Sequence, residues 1–130
     1  MLNKKLQSVW DMRTQLFTEA NKLHVKASKL WIDSDRLCIE GHKLLIEGYK
    51  QIDKKNELNL KGYKLCTEGN KLYAESRKLY AEADKLYDKG NQLWIETVTT
   101  EYGRINMNWK NWHEKSQSFE CHLENGEIYS

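Results

Sequence analysis

Residues 71–87 read KLYAESRKLYAEADKLY, and the spacing inside that stretch decides the fold. Leu72, Leu79 and Leu86 recur every seven residues, and Tyr73, Tyr80 and Tyr87 follow them. A seven-residue apolar period matches about 3.5 residues per turn, so it keeps one seam of an α-helix turned toward a neighbouring helix. Working outward, the same phase runs back through Leu65 and Leu58 and on to Leu93. Beyond the interruption at Gln51 it continues through Leu44, Leu37, Leu30, Leu23, Leu16, Val9 and Leu2.

With leucine at heptad position d, the other positions separate cleanly. Position a is small: Ala20, Ala27, Ser34, Gly41, Gly48, then Gly62, Gly69, Ser76, Ala83 and Gly90, with Lys55 the exception. Position e is mostly large or aromatic (Trp10, Phe17, Trp31, Leu45, Tyr73, Tyr80, Tyr87, Trp94), g is mostly acidic and c mostly basic. On a helical wheel d and e flank a, so the smallest side chains lie at the middle of the apolar stripe. Glycine inside a helix costs about 1 kcal/mol relative to alanine. Repeated on one face, it implies a return from close backbone packing. The expected helix seam is therefore Ala27, Ser34, Gly41, Gly48, Gly62, Gly69, Ser76 and Ala83, closed on its sides by Leu30, Leu37, Leu44, Leu65, Leu72 and Leu79.

The small residues also run in mirrored order. Outward from Lys55 the a series pairs Gly48 with Gly62, Gly41 with Gly69, Ser34 with Ser76 and Ala27 with Ala83. Outward from Ile52 the e series pairs Cys38 with Cys66, Phe17 with Tyr87 and Trp10 with Trp94. An antiparallel helix pair generates such a mirror, and its centre coincides with the weakest stretch of the coil. Between Gln51 and Glu57 the heptad carries Gln51 at d and Lys55 at a, and Asp53 and Asn56 favour turns. The expected fold is mainly α: a long antiparallel helical hairpin over 1–102 with its turn at 51–57, each arm on the order of 70 Å, followed by a small three-stranded β-module over 103–130. The alternative is one continuous helix in a parallel bundle, since the heptad phase survives 51–57 and the turn has neither glycine nor proline.

Position f carries Val25, Ile32, Ile39 and Ile46 in the first arm, against Thr67, Ala74, Ala81 and Asp88 in the second. The first arm thus has a second apolar stripe away from the seam, which one hairpin cannot cover. Those four residues are the expected oligomer or partner face.

After Trp94 the heptad fades and Tyr102-Gly103 has the form of a glycine-capped helix end. Ile105, Met107 and Trp109 then alternate with polar residues, as do Phe119, Cys121 and Leu123, and Asn125-Gly126 before Ile128-Tyr129 is a hairpin signal. So short a meander cannot stand alone and must lean on the helix end, on copies of itself or on a partner. Trp109, Trp112, Phe119 and Tyr129 are its candidate partner-binding residues.

In 130 residues, 31% are charged, none is proline and the net charge is +2. Absence of proline suits long helices, and the charge balance argues against a nucleic-acid partner. No apolar run reaches the roughly 20 residues that span a bilayer. No catalytic constellation is visible. His113, Cys121 and His122 lie close in sequence but lack zinc spacing, and Cys38, Cys66 and Cys121 fit a reducing compartment. No cofactor and no metal are expected. The basic c row pairs with acidic residues three positions earlier, such as Asp33 with Arg36 and Glu68 with Lys71, as a solvated face does.

The repeat at 71–75, 78–82 and 85–87, with the tail Cys121-His122-Leu123-Glu124-Asn125-Gly126-Glu127, resembles small phage-encoded proteins built of KLxAEG heptads, mostly of unknown function. A coil capped by a tiny β-meander is also similar in layout to phage fibritin, from which this chain departs in its small-residue seam. The phage resemblance implies a protein made in the cytoplasm of an infected bacterium. The functional expectation is a non-enzymatic, homo-oligomeric interaction protein that binds and inhibits or tethers a host protein. The alternative is a structural or assembly protein, such as a fibre component or chaperone.

Overall fold

A computed structural model describes residues 3–114 and 117–130. Two long helices, α1 (Lys4–Lys50) and α2 (Lys55–Tyr102), pack against each other and are followed by strands β1 (Met107–His113), β2 (Ser118–Leu123) and β3 (Ile128–Tyr129). The strands form an antiparallel sheet in the order β1-β2-β3. The hairpin is thus the architecture, and the continuous helix is set aside.

Local chemistry accounts for the helix ends. At the start of α1 the Asn3 side chain accepts from the backbone N–H of Lys5 (3.0 Å) and Leu6 (3.3 Å), the bonding of an N-cap. At the end of α2, Gly103 takes φ +72° and its N–H closes on the Thr99 carbonyl at 2.8 Å, so glycine caps the helix in the left-handed conformation. The connection between helices is shorter than 51–57. Gln51 leaves helical geometry (φ −115°, ψ 85°), Ile52–Lys54 form one 3₁₀ turn, and Asn56 and Glu57 already belong to α2. The Gln51 side chain holds the corner by donating to Glu47 Oε1 at 2.7 Å.

The register follows only one of the two mirrors. Phe17 meets Tyr87 and Trp10 meets Trp94, each with ring centroids 4.9 Å apart, as the e series requires. The a series is displaced by one heptad from its expected pairing. Gly41 lies against Gly62, Ser34 bonds to the Gly69 carbonyl and Ser76 to that of Ala27. The two mirror centres are incompatible for one pair of helices, and a corner of so few residues selects the tighter register.

The chain divides into two compact units. One is His24–Ala81, the closed end of the hairpin; the other comprises the residues up to Leu23 and from Glu82 onward, the open end with the sheet. In the closed end the buried residues are Ala27, Ser34, Gly41, Gly48, Gly62, Gly69 and Ser76, while Leu30, Leu37, Leu44, Leu65, Leu72 and Leu79 are half-buried. The seam residues therefore stand where the heptad puts them, with Ala83 buried equivalently in the open end. Backbones come so close that a Cβ added to Gly41 or Gly62 would lie 2.7 Å from the other's carbonyl oxygen. The seam serines exploit this: Ser34 Oγ donates to Gly69 O at 2.7 Å and Ser76 Oγ to Ala27 O at 2.8 Å.

The open end has a conventional core of Leu6, Trp10, Trp94, Val98, Cys121, Leu123 and Tyr129, so the sheet leans on the helix ends. Trp94 Nε1 donates to Cys121 Sγ at 3.3 Å, and burial pushes that thiol upward in pKa. The turn at Asn125-Gly126 forms as expected, with Gly126 at φ +94° and Leu123 N–H bonded to Glu127 O at 2.8 Å. Phe119 departs from the expected alternation. The β1–β2 register shifts between Lys110 and His113, Asn111 adopts φ +56°, and past this bulge Ser118 is buried while Phe119 is exposed.

Candidate interaction surfaces

Two surfaces carry the chemistry that the fold leaves unused, one in each unit. In the closed end, the outer stripe of α1 is exposed: Val25 57%, Ile32 62%, Ile39 55% and Ile46 56%. Around the corner Tyr49, Ile52, Leu60 and Tyr63 are also exposed. The four β-branched side chains recur at every second turn on one face of α1. Of the charge pairs read from the sequence, Asp33–Arg36 closes at 3.7 Å; among the described residues the other ion pair within one helix is Glu57–Lys61 at 3.2 Å. Both are solvated and contribute little.

In the open end, the four aromatic candidates divide. Trp109, Trp112 and Phe119 are exposed, Trp112 and Phe119 meeting edge-on with centroids 5.0 Å apart. Tyr129 is not a surface residue. It is fully buried against Trp94 (4.9 Å), and its hydroxyl donates to Glu127, which also accepts from Tyr102. Burial first, and the bond to Glu127 second, push the Tyr129 phenol upward in pKa. A two-residue strand has too little periodicity for its inward side to be read from sequence.

Arg13 is the candidate site residue that sequence reasoning passes over. It occupies the small-residue position of the heptad opposite Gly90, whose missing side chain leaves it room. The residue is 4% exposed. Its Cζ lies 4.0 Å from the Phe17 ring centroid, 4.5 Å from Trp10 and 4.9 Å from Trp109. Nε donates to Asn91 Oδ1 at 3.2 Å and Nη1 to Ser118 Oγ at 3.0 Å. Among the described residues no carboxylate pairs with it. Burial lowers its pKa to about 10, with the Cys121 thiol opposing that shift, so it stays charged at neutral pH. A cation at position a was the one available signal.

Arg13 lines a cavity of about 340 Å³. Its walls are Phe17, Ile95, Trp109, Trp112 and Phe119; Asn91, Gln117 and Ser118 supply the remaining polar groups.

On the outer side of the sheet, Glu120 gathers three donors: Asn111 Nδ2 at 2.9 Å, His113 Nε2 at 2.9 Å and His122 Nε2 at 3.0 Å. These bonds, that from Asn111 first, draw its carboxyl down from 4.5 to about 2. Among the described residues no group of three His, Cys, Asp or Glu side chains is placed to hold a metal ion, and no helix is long and apolar enough to cross a membrane.

Comparison of the chain with protein-family models, with curated proteins and with solved structures finds no match.

Proposed function

We propose that this chain is a non-enzymatic interaction protein that assembles with copies of itself through the outer stripe of α1 and uses the assembly to engage another protein. The observation that supports this reading is the closed end's lack of any large buried side chain, set beside the exposed row Val25, Ile32, Ile39 and Ile46. Two helices in contact cover only one stripe of each. A second copy laid on α1 would cover the other. The resemblance to phage proteins with KLxAEG heptads extends the reading: the partner is a host protein, bound and inhibited or tethered in the cytoplasm of the infected bacterium.

Light scattering coupled to size exclusion tests the first step. The wild-type chain is expected to elute as an oligomer, and Ile32→Asp with Ile39→Asp as a monomer of unchanged helix content. A monomeric wild type would overturn the assembly. Nuclease-treated affinity capture from bacterial lysate, followed by native mass spectrometry, tests the second step. A stoichiometric host protein would support it; a pure homo-oligomer would favour a structural role.

A further inference from the structure

Burying a guanidinium without a carboxylate is costly, and proteins ordinarily supply the counter-charge when they bury an arginine. Arg13 receives only neutral partners. Three aromatic faces attract it through their quadrupoles, each contact worth about 1 to 2 kcal/mol when desolvated, and Asn91 and Ser118 accept from Nε and Nη1. Among the described residues Nη2 has no acceptor.

Among the described residues no acidic side chain lines the cavity bordering Arg13, and Arg13 is the cation there. The Asn91 amide, with Oδ1 already used by Arg13, turns its remaining polarity toward donation. The rest of the wall is flat and apolar, with Trp109, Trp112, Phe119 and Ile95 each left partly open to solvent. A volume of about 340 Å³ lies in the range of small-ligand sites, whose usual form is an apolar pocket with a few convergent polar groups.

We infer that the open end is a binding site for a small anionic ligand, a planar apolar body bearing one carboxylate or phosphate, whose anion bonds the Arg13 guanidinium while its ring lies against Trp112 and Phe119. The anion supplies the counter-charge that no described residue provides, through a charge-assisted bond. This inference is independent of the proposed assembly, because it lies wholly in the open-end unit and makes no use of the α1 stripe.

The test uses the full chain and three probes: naphthalene-2-carboxylate, its neutral amide, and phenyl phosphate. Binding is read by NMR from the indole N–H signals of Trp109 and Trp112. The carboxylate is expected to bind about tenfold more tightly than the amide, the scale of one charge-assisted hydrogen bond. Phenyl phosphate is expected to shift the same signals. Arg13→Gln should bring carboxylate and amide to equal affinity. Trp112→Ala, at an exposed position whose loss leaves the core intact, should weaken both while keeping their ratio, and it stands as the test should Arg13→Gln fail to fold. Equal binding of carboxylate and amide to the wild-type chain would overturn the inference. So would an unchanged preference in Arg13→Gln, or no shift with any probe at millimolar concentration.

Discussion

Between His24 and Ala81 every buried residue is glycine, alanine or serine; in the open-end unit the buried residues include Leu6, Trp10, Phe17, Trp94 and Tyr129. The same heptad serves both units, with leucine at d and a large residue at e. What differs is the number of layers. Two helices alone enclose only the line where they touch, so backbones close in over small residues and large side chains remain half-open at the edges. A sheet laid across the open end adds a third layer, and tryptophans at the same heptad position become fully buried. Large buried side chains therefore report a third layer. The closed end has none and is built of the two helices alone.

The comparison can be broken most forcefully at Trp94, which touches Trp10, Tyr129 and Cys121. Trp94→Ala is expected to destabilise the chain by about 3–5 kcal/mol, measured by urea unfolding followed by circular dichroism. A loss as small as that from trimming the half-buried Tyr80 in the closed end would show that the three-layer core contributes no more than the seam.

Glycine substitutions sharpen the other side. A Cβ at Gly41 would stand 2.7 Å from both Cys66 Sγ and the Gly62 carbonyl, and backbone cannot rotate aside. At Gly48 the nearest atom is the movable Asn59 Oδ1 at 2.9 Å, with backbone no closer than 3.5 Å. Alanine gains about 1 kcal/mol of helix propensity at either site. At Gly41 overpacking of about 1–3 kcal/mol should exceed that gain, whereas Gly48→Ala should be neutral or stabilising. Equal effects at the two sites in thermal melts would refute a seam held by backbone contact.

These contacts also mark how far the sequence was legible. Leu72, Leu79 and Leu86 announce helix pairing because periodicity is local, and Gly103 and Asn125-Gly126 announce their turns because each needs a positive φ. The register was not legible from position a. Gly41 opposite Gly62 and Gly41 opposite Gly69 are chemically the same pairing, so a slip of one heptad is invisible there. The distinct rings of Phe17, Tyr87, Trp10 and Trp94 carried the correct answer at position e. The α1 stripe was legible as an exposed apolar row once the heptad was phased, and Trp109 and Trp112 as aromatic surface of the β-module. Arg13 was not, since a lysine or arginine on a helix is ordinarily solvated and nothing in its neighbours foretells that β2 brings Ser118 to it.

Seam serines give a smaller effect. Ser34 and Ser76 each hand their hydroxyl proton across to the facing helix, at 2.7 and 2.8 Å. Alanine in their place fills almost the same volume, and the carbonyl it abandons belongs to a residue inside the opposite helix. Ser34→Ala and Ser76→Ala should therefore each cost about 0.5–1.5 kcal/mol, the net worth of one hydrogen bond. The double variant should show the sum, because the sites lie on different levels of the seam. A null result by chemical denaturation would leave close packing alone as the closed end's source of cohesion.

The least effect belongs to Glu120, whose bonds to Asn111, His113 and His122 lie on the sheet's outer side. Its carboxyl stands at about 2 in the folded chain against an ordinary 4.5. A depressed folded value means the unfolded chain takes up the proton first as pH falls. The stability this residue contributes is thus complete above the ordinary value, declines as pH drops below it, and is gone once pH has passed through about 2. Glu120→Gln removes the titration. Melting temperatures of wild type and variant should differ slightly at pH 6 and converge toward pH 2, with wild type the more stable at the upper end. Exposure and screening keep the difference small. A gap that widens on acidification would mean that the cluster is stabilised by its protonated form, and the sheet's polar face would then have to be understood in another way.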